Sequence, residues 1–149
     1  MDSVLIKPKT VRELYSETAK AKGFVIVEGY DEKVNRAAVE SKKINMLLNP
    51  ERCFNEDKMH YRLSGLNDVL CKLASKNKVA IGIDFEHLKK LNENERINAL
   101  GKIMQNVSLC NKYNVKQYIV YRDNKNEKDL KCFGLLLGMK NGGINLLKC

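Results

Sequence analysis

The sequence predicts an α/β fold. It reads as a mostly parallel sheet of βα repeats, an incomplete or open TIM-barrel-like arrangement, in a single domain over residues 1–149. Three observations predict it. Short aliphatic runs begin near residues 4, 24, 45, 79 and 117, with amphipathic segments between them. The runs are apolar throughout instead of alternating, which marks strands covered on both faces. Five or six strands in 149 residues fall short of a closed eight-stranded barrel, which usually needs about 200 residues or more. An incomplete barrel exposes sheet edges, and natural proteins cover edges, so a partner is expected.

The elements follow in order. VLIK (4–7) is a β-branched run ended by Pro8. Thr10 is placed to cap a helix through about Lys22, with Glu13 at the capping-box position and Gly23 as the stop. FVIVE (24–28) is a buried strand, and Asp31 caps a second helix through about Lys43. NMLL (45–48) is a third strand, closed by Asn49-Pro50, and a polar, basic loop fills 51–62. Helix 63–77 carries Leu63, Leu66, Val69, Leu70, Leu73 and Ala74 on one face. VAIGI (79–83) is a strand with Gly82 inside it. Helix 93–113 repeats Ile97, Leu100, Ile103, Met104, Val107 and Cys110 at helical spacing. QYIVY (117–121) is a strand, 127–139 a helix, and NGG (141–143) a turn before a short apolar tail.

Apolar residues make up 44% and charged residues 30%, the balance of a globular protein and not of a disordered one. No apolar run approaches the roughly 20 residues that span a bilayer, and MDSVLIKPKT lacks a secretion signal's charged start and cleavage site. A cytoplasmic location is the expectation, with no membrane partner. The five cysteines (53, 71, 110, 132, 149) form no CxxC, and His60 and His87 form no HxH or HExxH. Neither a disulfide framework nor a resident metal is expected. Net charge is +9 and uneven: residues 1–50 hold nine Lys/Arg against seven Asp/Glu, residues 51–149 eighteen against eleven. A basic half suits a polyanion, because each phosphate neutralised by Lys or Arg releases counterions. A solvated Lys-rich surface reads the same way.

Function in parallel α/β folds gathers at the C-terminal ends of the strands. An enzyme reading places Asp84, Glu28, Asp123 and His87 there as converging acids, bases or ligands for a metal-dependent phosphoesterase. The structural reading makes Asp31 and Asp84 helix caps and pairs Glu28 with Lys33. GxGxxG, GxxxxGK[ST] and GxSxG are all absent. The stretch MHYRLSGLNDVLCKLA (59–74) offers a different chemistry. His60, Tyr61 and Arg62, with Arg52 and Lys58, combine cations with stackable rings, which suits RNA. A solvated face with an Asp68–Lys72 pair at i,i+4 is the alternative, and residue types leave both standing.

The run HYRLSGLNDVLCKLASKNKVAIGIDF resembles the ribonuclease P protein component 3 family of archaea, related to a eukaryotic RNase P/MRP subunit. Gly65–Leu73 with the strand after it is the specific part. Residues 31–50 and 93–120 are similar in support. Asp68 stands where the family's motif has His, and the chain resembles family members from an internal strand onward. The resemblance implies a protein subunit of archaeal ribonuclease P, the ribonucleoprotein endonuclease that removes 5′ leaders from precursor tRNA. It implies chemistry carried by the RNA subunit with bound Mg2+, no cofactor and no catalytic residue on this chain, and pairing with another protein subunit. By position it implies RNA contacts at Lys33, Arg36, Arg62, Lys72 and Arg96. Asn67, just inside the helix, is expected to be structural.

Overall fold

The computed structural model describes residues 2–53 and 63–149, the side chain of Cys53 excepted. Six strands alternate with six helices: β1 (Ser3–Ile6), α1 (Val11–Lys20), β2 (Phe24–Glu28), α2 (Glu32–Glu40), β3 (Met46–Leu48), α3 (Asp68–Asn77), β4 (Ala80–Asp84), α4 (Phe85–Lys90), α5 (Glu93–Lys112), β5 (Gln117–Tyr121), α6 (Glu127–Leu136) and β6 (Ile144–Lys148). A 3-10 turn, Pro50–Cys53, follows β3. The strands pair in chain order and every pair is parallel. The sheet curls into an open half-barrel, as the apolar strands and their spacing predict.

Alternate strand residues go to opposite faces. One face is split into two helix-covered cores. Val25, Val27, Leu47 and Ile81 pack with Leu14, Ala38, Leu70 and Ala74 of α1, α2 and α3. Ile83, Ile119 and Tyr121 pack with Ile103, Val107 and Leu130 of α5 and α6, and with Leu88 of α4. The other, inner face gathers strand residues alone: Ile26, Met46, Leu48, Ala80 and Val120, all buried because the curl folds them onto one another. Gly82 makes that curl possible. A Cβ there would lie 2.5 Å from Met46 Sδ and 3.0 Å from Leu48 Cδ1. Truncating a fully buried member such as Leu47 to Ala costs about 2–5 kcal/mol.

The helix starts are fixed by side-chain caps. Thr10, Asp31, Asn67, Asp84, Asn92 and Asn126 each accept a backbone N–H from the first turn of the helix that follows. Several boundaries differ from expectation. α3 begins at Asp68, not residue 63, because Asn67 is the cap and not an interior residue; its Oδ1 accepts from Leu70 N at 2.9 Å. α1, α2 and α6 stop earlier than the periodicity suggests, since Ala21 and Ser41 return to extended backbone and α6 closes through Gly138 at φ +98°. α4 was not expected at all. The apolar tail is a sixth strand. Val69, Ile97 and Met104, assigned to apolar faces, are exposed.

One tie holds the loop ahead of α3. Buried Asn35 donates from Nδ2 to Pro50 O at 3.3 Å and Gly65 O at 3.5 Å, and its Oδ1 accepts from Tyr30 N. Gly65 has φ +86°, and a Cβ there would meet Pro50 O at 2.0 Å. Gly142 has φ +82° with open space around it. Gly142→Ala should therefore cost only the left-handed backbone term, about 1–2 kcal/mol. Gly65→Ala should cost more, because the Pro50 carbonyl must also move. Urea unfolding of the two variants measures the difference; equal midpoints would show that the clash at Pro50 is easily relieved.

Candidate nucleic-acid interface

The residues singled out in the sequence fall in two places. Glu28, Asp84 and His87 lie at the C-terminal rim of the sheet. The basic candidates lie on the helical layer.

At the rim, the structure commits the acids to structural duty. Asp84 Oδ1 accepts from Glu86 N at 3.0 Å and His87 N at 3.2 Å, and so starts α4. Its Oδ2 lies 3.7 Å from Arg122, and its backbone N–H donates to Asn49 Oδ1 at 2.9 Å. Glu28 pairs with Arg52 and, at 4.0 Å, with Lys7. The expected Glu28–Lys33 pair is therefore corrected: β2 ends beside the 3-10 turn, which brings Arg52 to the carboxylate, while Lys33 lies exposed on α2. Asp123 sits in a turn at φ +60°. His87 is half-buried, and burial, followed by the Arg52 charge, holds its pKa below the usual value.

Glu51 belongs to this rim as well, although its sequence context does not single it out. This carboxyl is 6% exposed, and burial pushes its pKa up to about 7, with Arg52 and Lys102 opposing and Asp84 adding to the rise. It borders an open cleft of about 330 Å3 with Arg52, His87, Glu95, Asn98 and Lys102. Two cations and two carboxylates line that cleft, so it has no strong preference for either sign. Nothing in NPER announces the burial, because Pro50-Glu51 reads as the polar start of a turn. Among the described residues no group of three or more His, Cys, Asp or Glu could hold a metal ion. No described helix is long and apolar enough to cross a membrane.

The basic candidates do not converge on one point. Lys33 and Arg36 are exposed on α2, where Arg36 Nε bonds Glu40 Oε1 at 2.9 Å as an i,i+4 pair. Lys72 on α3 places its ammonium 5.6 Å from the Tyr113 ring centre. Arg96 on α5 donates to Leu88 O (3.0 Å), Lys89 O (3.0 Å) and Leu91 O (2.8 Å), closing the C-terminal end of α4. Arg62, like Lys58, His60 and Tyr61, lies outside the described residues. The expected Asp68–Lys72 pair is also corrected. Asp68 reaches across to α5, where Lys112 Nζ lies 3.0 Å away and the Tyr113 hydroxyl donates to the same Oδ1. That hydroxyl, then Lys112, holds the Asp68 carboxyl below its usual range. Lys112 also lies 5.0 Å from the Tyr113 ring centre, so one aromatic side chain gathers two lysines. The buried thiols of Cys71 and Cys110 touch where α3 crosses α5.

This is a βα half-barrel whose rim acids Glu28, Asp84 and Glu86 stand in a cap and in ion pairs and whose excess charge is cationic. Comparison with known proteins makes the assignment specific. The chain is 36% identical over 108 residues to ribonuclease P protein component 3 of Methanosarcina acetivorans, covering 72% of this chain and 42% of the relative. It is 30% identical over 131 residues to the protein of the same name from Methanocaldococcus jannaschii, covering 86% and 53%. A chain from the cryo-EM structure of archaeal ribonuclease P with mature tRNA superposes with a TM-score of 0.74 at 29% identity, covering 92% of this chain and 60% of that one. No family model matches. Over the region it spans, the chain is similar to the ribonuclease P protein component 3 family. It spans about half the length of the curated relatives it matches.

The buried carboxyl makes stability depend on pH. Between pH 4.5 and about 7, folded Glu51 keeps a proton that the unfolded chain has released. Stability is thus full below 4.5 and falls as pH rises through 7, by an amount on the order of 3 kcal/mol. His87 acts in the opposite sense, losing stability as pH falls through its unfolded value. Glu51→Gln should remove the decline between pH 4.5 and about 7 and leave the His87 contribution, which urea midpoints at pH 5, 6, 7 and 8 will show. The arginines differ in the same assay. Arg96→Ala should cost about 1.5–3 kcal/mol, because its charged hydrogen bonds disappear. Arg36→Ala should cost under about 0.5 kcal/mol. Arg96→Lys should not restore the stability, because an ammonium lacks the planar fork that spans three carbonyls.

Proposed function

We propose that the chain serves as a protein subunit of archaeal ribonuclease P. In this reading it contacts the RNA subunit, pairs with another protein subunit, meets precursor tRNA only indirectly, and works in the cytoplasm. The RNA holds Mg2+ and breaks the phosphodiester bond; this chain supplies cations that reduce repulsion between packed RNA helices. Such contacts go to phosphate and position the RNA without reading bases. Kinship with component 3 over most of the chain is the observation that carries the proposal. The commitment of Asp84 to α4 and of Glu28 to Arg52 supports it further, since neither carboxylate is held free for acid–base work.

The alternative is a stand-alone phosphoesterase using Asp84, Glu28 and His87. Titrating ribonuclease P RNA with the purified chain at several salt concentrations tests the first reading. Arg62→Ala with Lys72→Ala should lower the slope of log affinity against log salt by about one for every phosphate that is no longer neutralised. A parallel assay with Mg2+ and a generic phosphodiester tests the second. Turnover that survives exhaustive ribonuclease treatment and disappears in Asp84→Ala would overturn the subunit reading.

A further inference from the structure

We propose that RNA is engaged at the rim where β4, β5 and β6 begin, through its phosphodiester backbone, and not at the rim where the strands end. The inference rests on the ribonuclease P reading and names the face that does the binding.

At the C-terminal rim the described carboxylates Glu28, Asp84 and Glu86 are interleaved with the cations. Lys7 and Arg52 face Glu28, Arg122 faces Asp84, and Lys89 and Lys125 face Glu86. An arriving polyanion would have to break these ion pairs and would then lie against the carboxylates it displaced.

The opposite rim is built differently. Residues 69–83, 96–122 and 130–149 contain no Asp or Glu. Folding places one lysine ahead of each of three adjacent strands: Lys78 before β4, Lys116 before β5 and Lys140 before β6. The register sets Ile81 beside Gln117 and Gln117 beside Ile144, so the three lysines share one edge of the sheet. All three are exposed, and none has a carboxylate partner among the described residues. Lys72, 5.6 Å from the Tyr113 ring centre, adds charge at the end of α5 next to that edge, where Lys112 is already paired with Asp68 at 3.0 Å.

Between Lys116 and Lys140 opens a cleft of about 280 Å3 whose other polar lining is Asn111, Asn114, Gln117 and Asn145. Among the described residues no carboxylate lines it. Its walls are held in place by their own bonds. Gln117 Nε2 donates to Asn111 Oδ1 at 3.0 Å, Asn111 Nδ2 to Gly138 O at 2.8 Å, and Asn145 Nδ2 to Gln117 O at 3.0 Å. Lysines near helix C-termini also serve to neutralise the last carbonyls. Here many of those carbonyls are already bonded: Cys110 O accepts from Val115 N, Leu109 O from Tyr113 N, Gly134 O from Met139 N and Leu135 O from Gly138 N. The Lys116 ammonium lies 5.2 Å from the Tyr118 ring centre, a contact that leaves its N–H groups to meet an anion. Separated lysine point charges on a ridge, beside amides that donate and accept, suit a phosphate–ribose backbone and discriminate little among bases.

The test uses the full chain and a ribonuclease P RNA transcript, followed by fluorescence anisotropy across a salt series. Lys116→Glu with Lys140→Glu is compared with Lys89→Glu and Lys125→Glu at the other rim, each pair checked for an unchanged urea midpoint. The first pair should lose tenfold or more in affinity and about two in salt slope, while the second stays within threefold. Equal losses, or a larger loss at the C-terminal rim, would overturn the choice of face and leave RNA binding standing. Retained RNA affinity with failed assembly onto a protein subunit would assign the lysine rim to protein instead, and overturn it too. Failure of the parent chain to bind the RNA at any salt would sink the ribonuclease P reading itself, and this inference with it.

Discussion

Parallel pairing in chain order is the constraint on which the rest depends. Each strand must return to the same end of the sheet before the next begins, so each connection must carry the chain back. Strand ends and helix starts therefore collect on one rim, and helix ends and strand starts on the other. The hydrogen-bonded register from β1 to β6 sets this division before any particular side chain is considered.

The division sorts charge. A helix start asks for an acceptor, and Asp31, Asp84, Asn67, Asn92 and Asn126 meet that demand at one rim. Acids drawn there attract cations, and the result is a belt of ion pairs joining Glu28, Asp84 and Glu86 to arginine and lysine. Helix ends tolerate cations and have no use for acids, so Lys78, Lys116 and Lys140 at the other rim have no carboxylate partner among the described residues, while Lys112 is met by Asp68 from α3. A catalytic acid or base at the C-terminal rim would have to be spared from this belt. Glu51 comes nearest, being buried with its pKa raised to about 7, but its neighbours are Arg52 and Lys102 on one side and the cap residue Asp84 on the other.

Much of the architecture is legible along the chain. Continuous apolar runs name five of the six strands, because a strand buried on both faces leaves no polar position in its pattern. Thr10 and Asp31 name two helix starts, since capping is a local bond that the sequence carries in full. What escapes such a reading shares a cause. α4 goes unnoticed because six residues are too few to show a helical period. The exposure of Ile97 and Met104 goes unnoticed because periodicity marks a face without saying what lies against it. Arg96 reads as a surface cation, yet its guanidinium is occupied by three carbonyls at and just beyond the end of a neighbouring helix.

By itself the sequence determined what depends on neighbours along the chain: strand and helix identity, caps, the parallel α/β class, the excess of lysine and the likeness to component 3. Tertiary structure alone decided which charges meet. Asp68 turned from Lys72, four residues away, to Lys112 and Tyr113 on another helix, and Glu28 took Arg52 in place of Lys33. Ion pairs form between groups close in space, and the closing of the loop between β3 and α3 and the packing of α3 against α5 are long-range events. No spacing in the chain encodes their distances.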